Sequence, residues 1–432
     1  APKGPMRVST RAGSEISSTE DYHLHSETAP PSPRRSSDTA LVLGATGPLL
    51  LAIAGSAIVP LPCAFGQMGI PAGAAFMVLI ALANDHTTIL LVRAATKLRV
   101  GSYEEVVLCT MGEHGLFWAR VSLVILLFGT GCGSLAAIQE TAVRAATGLG
   151  FGLSATGRTL LLVVPTAVVV MPLSLLSLGE MSGLSVFGVS IMLGVAVYCV
   201  YHAASAGDFG REPPAYEEQV RWSALPQAIS TLGYAFYVQP CALPLLERLP
   251  SGERGAVLLE RALHLTFGII TLVYLAIGAS GLLLFGADTP QNVLQGFGGG
   301  AGAALSALFA LYLMLCFPPM LVPLRETLVR LFRHLERRAV YLRTPPHERR
   351  ALERERALEL GGAAGSGSSA TLPPALNAAV TCAIVGAALG VALALPDASA
   401  SLFALTGATG VCLVAYVFPI VAHWRLPAGE KG

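Results

Sequence analysis

Charged residues are scarce in this sequence. Asp, Glu, Lys and Arg make up only 13% of its 432 residues, whereas 53% are hydrophobic and the mean hydropathy is +0.63. Soluble domains usually carry about 25% charged residues. The shortage of charge argues against a soluble globular protein and indicates a polytopic membrane protein surrounded by the lipid bilayer. The net charge of +1 contains no basic excess, so we expect no nucleic acid partner.

Catalytic and metal-binding motifs are also missing. The sequence has no His-Glu-x-x-His, no Gly-x-Ser-x-Gly and no Gly-Lys-Ser/Thr. Its eight cysteines show no metal-ligand spacing, and all except Cys109 lie in apolar segments. We therefore expect no enzyme activity, no metal and no cofactor, and we interpret the cysteines as small apolar residues.

Long apolar runs predict an all-α protein with ten membrane spans. Residues 1–38 form a polar tail, too poor in apolar groups to fold. Each of the ten later runs is long enough to cross about 30 Å of hydrocarbon. In chain order, spans 1 to 10 are 41–66, 70–92, 116–138, 159–178, 183–203, 222–246, 262–286, 299–324, 373–395 and 399–423. Spans 1–8 thus occupy residues 39–324 and spans 9–10 residues 373–424. A charged loop (325–372) lies between them, its first part continuing span 8 as a helix, and a short tail (425–432) follows.

The positions of Lys and Arg predict the orientation. If the first tail is cytoplasmic, all but four of the 28 Lys and Arg residues lie in cytoplasmic segments or at their edges; the exceptions are Arg144, Arg158, Arg211 and Arg221. This is the bias of the positive-inside rule, so we expect a cytoplasmic N-terminus. The outer loops contain no Asn-x-Ser/Thr sequon and no cysteine pair. The plasma membrane and a vacuolar or other endomembrane therefore both stay open.

Two spans contain helix-breaking residues where a helix should be continuous. Gly55, Pro60 and Pro62 interrupt span 1, and Gly233, Pro240 and Pro244 interrupt span 6. Such breaks persist in lipid only where they line a cavity or are buried in protein, and their free backbone groups then serve as ligands. Spans 1 and 6 each open a group of five spans. Because five is odd, the two groups enter the membrane from opposite sides, which predicts an inverted repeat with a binding site at the breaks.

The same segments resemble the amino acid/auxin permease family. The first-span signature reads "AGSAIVPLPCAFGQMGIPAG", the loop after span 2 "SYEEVV", and span 6 "ALPQAISTLGYAFYVQPCALPLLERL". Similarity in the family's order covers about residues 40–424. The resemblance implies the fold of the amino acid–polyamine–organocation transporters and an amino acid bound between spans 1, 3, 6, 8 and 10.

The resemblance also implies the residues of the site. Backbone groups of Gly55, Ser56 and Ala57 would bind the carboxylate or amine of the substrate. Tyr234 and Phe236 would form the wall of the side-chain pocket. In span 10, Thr406 and Gly407 would flank the pocket.

Three features depart from that family. Leu51 stands where sodium-coupled members carry Asn, and Cys316 stands near the position of a hydroxyl ligand, so we expect no sodium coupling. The family fold usually has an eleventh helix, whereas this chain ends nine residues after His423, so we expect that the sequence is truncated.

A proton is the alternative coupling ion, and it needs a titratable group within the membrane. Asp85 and His86 in span 2 are the candidates; the other interpretation is an interfacial polar pair that is hydrated or pairs with Arg93. Gln139 and Glu140 near the outer end of span 3 are interpreted as interface residues. The central parts of spans 1 and 6 carry no charge, so we expect a neutral substrate side chain.

Together these features predict a secondary active transporter of small neutral amino acids, by symport or antiport, with alternating access around spans 1 and 6. Another hypothesis is a membrane sensor that binds an amino acid and signals through its tail and its long loop. A channel is disfavoured because no span carries a ring of charges.

Overall fold

Helices make up the regular structure of the computed structural model, which describes residues 37–175, 184–205, 220–286, 289–344 and 373–426. Within these ranges there is no strand, as the all-α prediction requires. The predicted polar tail up to residue 36, most of the charged loop (345–372) and the last six residues of the chain lie outside the described residues.

Twelve helices correspond to the ten predicted spans. The first group of five spans consists of α1 (Asp38–Ile53), α2 (Leu61–Met68), α3 (Ile70–Leu98), α4 (Tyr103–Gly148), α5 (Ala155–Leu173) and α6 (Leu184–Ser205). The second group consists of α7 (Leu225–Ala235), α8 (Gln239–Leu246), α9 (Glu253–Phe285), α10 (Gly299–Arg343), α11 (Pro374–Ala394) and α12 (Ser399–Trp424). Spans 1 and 6 are each divided into two helices, α1–α2 and α7–α8, and every other span is one helix.

When α7 and α8 are counted together as one span, eight spans of the described residues are long and apolar enough to cross a membrane: α3, α4, α5, α7–α8, α9, α10, α11 and α12. α1 and the 190–205 part of α6 are shorter apolar helices. The chain is therefore an all-α polytopic membrane protein in which the first span of each group of five is broken.

Several helices extend beyond the predicted spans, and α4 and α10 do so by the most residues. α4 begins at Tyr103 rather than at residue 116, because Ser102 and Glu105 form a capping box at its start. Gly112, with φ of 69°, then interrupts the helix before its membrane part. α10 continues to Arg343, as its sequence predicts.

Corresponding helices of the two groups run antiparallel. Between α3 and α9, Asp85 contacts His264 and Arg93 contacts Glu260. The residue numbers of the contacts therefore rise along α3 as they fall along α9. The same order relates α4 to α10, where Glu104 contacts Arg330 and Gly148 lies beside Ala303. Likewise α1 packs on α8, and α2 packs on α7. The three leading spans of one group thus lie against their counterparts in the opposite direction, which is the arrangement of an inverted repeat.

Segments assigned to the same side of the membrane also meet. Asp38 pairs with Arg254, and Glu104 pairs with both Arg120 and Arg330. All five residues belong to segments that the Lys and Arg distribution places inside. The contacts agree with the predicted sidedness, and the identity of that side as cytoplasmic stays a prediction.

Glycines allow α4 and α12 to approach closely. A Cβ at Gly133 would lie 2.4 Å from the ring of Phe403, and one at Gly410 would lie 2.7 Å from the Cα of Leu126. Both glycines are therefore positions where a side chain would prevent the close contact. In span 9, by contrast, a Cβ at Gly386 or Gly390 would meet nothing within 4 Å.

This difference gives a matched pair of variants. Gly410→Ala should lower the thermal stability of the purified protein, since the added methyl group meets a fixed backbone and overpacking costs about 1–3 kcal/mol. Gly386→Ala should leave the stability unchanged or slightly higher. Fluorescence-detected size-exclusion chromatography after heating measures both. Equal melting temperatures for the two variants would contradict the observed packing.

Candidate functional site

The break in span 1 follows directly from its sequence. α1 ends at Ile53, a 3₁₀ turn covers Ser56–Ile58, and α2 begins at Leu61. Pro60 and Pro62 have no N–H to continue the hydrogen-bonding pattern of α1. The predicted break is thus confirmed in position. Ala57 is buried here, and nothing is described of the side chain of Ser56.

Carbonyl groups released by this break are bound by distant partners. The hydroxyl of Tyr274 in α9 donates to the carbonyl of Ile53 at 2.8 Å, and the hydroxyl of Tyr312 in α10 donates to that of Ala54 at 3.0 Å. Both tyrosines are buried. The sequence analysis missed them, although a tyrosine in the middle of an apolar span needs a partner for its hydroxyl and is a usable signal.

The break in span 6 is stabilised by side chains. α7 ends at Ala235, and α8 begins at Gln239. The side-chain carbonyl of Gln239 accepts from the free N–H of Val238 at 3.0 Å, and its NH2 group donates to Asn84 and Thr88 of α3, each at 3.2 Å. Asn84 also donates to the hydroxyl of Tyr416 in α12 at 2.6 Å. This buried polar network joins the break to spans 2 and 10.

Three of the predicted pocket residues come together. Tyr234 stacks on Phe403 of α12 with ring centroids 4.7 Å apart. A Cβ at Gly407 would lie 3.2 Å from the Cβ of Tyr234, and Thr406 lies beside Gly129 of α4. Gly407 is also the first residue of a π-helical stretch, Gly407–Val417, a feature that often marks functional sites.

Phe236 lies on a different side of the break from Tyr234. Its ring packs against Phe267 and Tyr274 of α9, with centroids 6.3 Å and 5.3 Å away. The resemblance implies that both aromatic residues form the wall of one pocket, and only Tyr234 lies with the span 10 residues.

Open space remains beside both breaks. A Cβ added at Gly55 or at Gly233 would meet nothing within 4 Å, although Gly233 is a buried residue. The 3₁₀ turn of span 1 packs on α7, so the two breaks are neighbours. Tyr234, which follows Gly233 in sequence, and Thr406 in the adjacent span 10 are both uncharged residues.

Asp85 and His86 face different surroundings. The Oδ2 atom of Asp85 lies 2.6 Å from Nδ1 of His264 in α9, and Oδ1 is buried without a hydrogen-bond partner. His86 lies on the exposed surface of α3. The alternative partner, Arg93, is also excluded, because it forms a bidentate pair with Glu260 at 2.8 and 2.9 Å. The sequence analysis missed His264, since nothing local indicates that α9 approaches Asp85.

Glu140 is buried, in contrast to its interpretation as an interface residue. It is only 3% exposed, and both carboxylate oxygens accept hydrogen bonds from other elements. Gln139 is also buried and donates to the backbone carbonyl of Arg158 at 3.5 Å.

Comparisons with known proteins agree with this architecture. Residues 39–431 match the family model described as transmembrane amino acid transporter protein. Human solute carrier family 38 member 10 is 23% identical over 381 residues, which cover 87% of this chain and 31% of the human protein. Arabidopsis thaliana amino acid transporter AVT6E is 25% identical over 66% of this chain and 62% of its own.

Two further proteins are similar to this chain. The zebrafish putative sodium-coupled neutral amino acid transporter 11 is 25% identical over 57% of this chain and 55% of its own. The solved structure of a Na⁺-coupled sialic acid symporter aligns with a TM-score of 0.45 at 14% identity, over 88% of this chain and 86% of its own. This chain spans about a third of the human relative. Because the family model matches nearly the whole chain, the protein belongs to the transmembrane amino acid transporter family.

Proposed function

We propose that the protein is a secondary active transporter that moves small neutral amino acids across a membrane by alternating access. The observation that carries this conclusion is the pair of adjacent helix breaks with open space at Gly55 and Gly233, in two groups of spans whose counterparts run antiparallel. Broken helices at matching positions of inverted halves are the typical site of substrate binding in such carriers.

The neutral character of the site supports the substrate class. An amino acid brings a carboxylate and an amine, which free backbone N–H and C=O groups at Gly55–Ala57 would bind. Its side chain would then lie toward Tyr234 and Thr406, where a buried charge would have no counter-ion and would be costly.

The hydrogen bonds at the first break argue against sodium coupling. The carbonyls of Ile53 and Ala54 already accept hydrogen bonds from Tyr274 and Tyr312, so a cation at these carbonyls would compete with both hydroxyls. Leu51 and Cys316 add no oxygen ligands.

Proton coupling through Asp85 is the alternative that we propose, with His264 as its partner instead of His86. The short Asp85–His264 contact joins spans 2 and 7, and a proton added to or lost from either group would change it. Asn84, next in sequence, contacts Gln239 at the second break, which connects this pair to the site.

We also propose that the N-terminus is cytoplasmic. The membrane that contains the protein is either the plasma membrane or an endomembrane.

Uptake into liposomes tests the proposed function. The purified chain is reconstituted, and accumulation of a set of labelled amino acids is measured under an imposed pH gradient or an imposed sodium gradient. We expect uptake of small neutral amino acids with the pH gradient. Uptake driven by sodium alone would overturn the coupling proposal, and binding without any uptake would favour the sensor hypothesis.

Filling the space at the second break should block the substrate. Gly233→Leu places a side chain where a Cβ meets nothing, so the protein should fold, while the KM for neutral amino acids should rise about tenfold or more, in line with the 1–3 kcal/mol cost of overpacking. Gly268→Leu is the matched control, because Gly268 is an exposed glycine of α9 with equally open surroundings. Unchanged uptake by Gly233→Leu would place the substrate elsewhere.

Removing the titratable carboxyl should separate binding from coupling. In Asp85→Asn, accumulation driven by the pH gradient should be lost, whereas exchange of internal for external amino acid should continue, because exchange needs no net proton movement. His264→Gln should alter the pH profile of uptake, and the control His86→Gln should not. Full gradient-driven accumulation by Asp85→Asn would exclude this residue from coupling.

A further inference from the structure

Residues 289–298, here called the outer segment, lie over the break in span 1. They join α9 to α10 on the side that the topology assigns as outer. The N–H of Val293 donates to the carbonyl of Val59 at 3.3 Å. Nearby, a Cβ at Gly66 of α2 would lie 3.2 Å from the Cβ of Thr289. The outer segment thus covers the first break and contacts its second helix.

α4 holds this segment at two points. The side-chain NH2 of Asn292 donates to Oε2 of Glu140 at 3.3 Å and to the hydroxyl of Thr141 at 3.2 Å. One turn further along α4, the guanidinium of Arg144 donates to the carbonyl of Phe297. Both contacts depend on side chains near the outer end of span 3.

Glu140 also binds the beginning of span 10. Its Oε1 accepts from the N–H of Ser399 at 3.0 Å, and its Oε2 accepts from the hydroxyl of Ser399 at 2.8 Å. A single buried carboxylate therefore joins α4, α12 and the outer segment, and in each contact it is the acceptor.

Protonation would weaken this junction. The N–H of Ser399 and the NH2 of Asn292 can only donate hydrogen bonds. When the carboxyl of Glu140 is protonated, one of its oxygens becomes a donor, so the group accepts these bonds less well. Bonds to a charged acceptor are also stronger than bonds to a neutral one. Among the described residues, the charged groups on the adjacent elements are Arg144 on α4, Asp397 before α12 and Arg158 on α5, and residues 289–298 carry none.

We propose that Glu140 is a titratable latch that keeps the outer segment closed over the first break, and that protonation from the outer side releases it. Resting on the proposed transport function, this makes Glu140 a positioning residue for access to the substrate site. It acts through Asn292 and Val293 and is separate from the Asp85–His264 pair.

Thiol labelling of the full-length protein in nanodiscs tests the latch without requiring transport. Val293 is fully buried, so Val293→Cys serves as a reporter, and site-resolved mass spectrometry separates it from the native cysteines. Rates are divided by the rate of a free thiol at the same pH. On acidification from about pH 8 to about pH 5, the normalised rate should rise about tenfold.

Variants at Glu140 distinguish titration from a structural role. Glu140→Gln should label about tenfold faster than the parent near neutral pH, roughly the effect of losing a hydrogen bond to a charged group, and should respond little to pH. Glu140→Asp should restore part of the pH response. Glu326→Gln, the same change on the inner part of α10, should behave like the parent.

A pH-independent normalised rate in the parent would overturn the latch, even if Glu140→Gln labels faster. If Glu140→Gln fails to fold, the pH dependence of labelling in the parent protein still tests the latch. A chain that shows the predicted labelling but no uptake in liposomes would retain the latch and lose the proposed transport function.

Discussion

Within lipid, a backbone N–H or C=O group that leaves a helix must find another partner, and this requirement determines how the two broken spans are built. Tyr274 and Tyr312 bind the carbonyls of the first break, and Gln239 binds the N–H group of the second. Each partner comes from, or is held by, a different span. The breaks therefore cannot be described as local kinks, because their stability depends on the packing of spans 2, 7, 8 and 10 around them.

The sequence alone predicted the number of spans, their grouping and which two of them are broken. Glycine and proline are local signals, so the break at Gly55 could be located without knowing any neighbour. In span 6 they were less exact, because Gly233 lies inside α7 and Pro244 inside α8, and the break at 236–238 falls between Gly233 and Pro240. The grouping of spans followed from counting apolar runs. Span ends were less accurate where a polar helical turn precedes the membrane part, as at Tyr103, because hydropathy alone does not register a capping box.

Partners that are distant in sequence could not be predicted. Tyr274 lies 221 positions from Ile53, and Ser399 lies 259 positions from Glu140, so no spacing rule relates them. The same reason explains why Asp85 was assigned to its neighbour His86 instead of His264. A buried carboxylate near a span end resembles an interface residue in sequence, and only the packed structure distinguishes the two.

The hydrogen bonds divide the spans into two sets. Spans 1, 2, 6 and 7 are joined by Ile53–Tyr274, Asn84–Gln239 and Asp85–His264, and spans 3, 8 and 10 by contacts such as Glu104–Arg330 and Glu140–Ser399. Fewer bonds cross between the sets, among them Ala54–Tyr312 and Asn84–Tyr416. The outer segment, which binds span 1 through Val293, adds the bond Asn292–Glu140. In the proposed cycle, one set rocks against the other, so these crossing bonds must change. Among those three, only the bond to Glu140 involves a carboxylate, so a proton arriving from the outer side would act most directly on that bond.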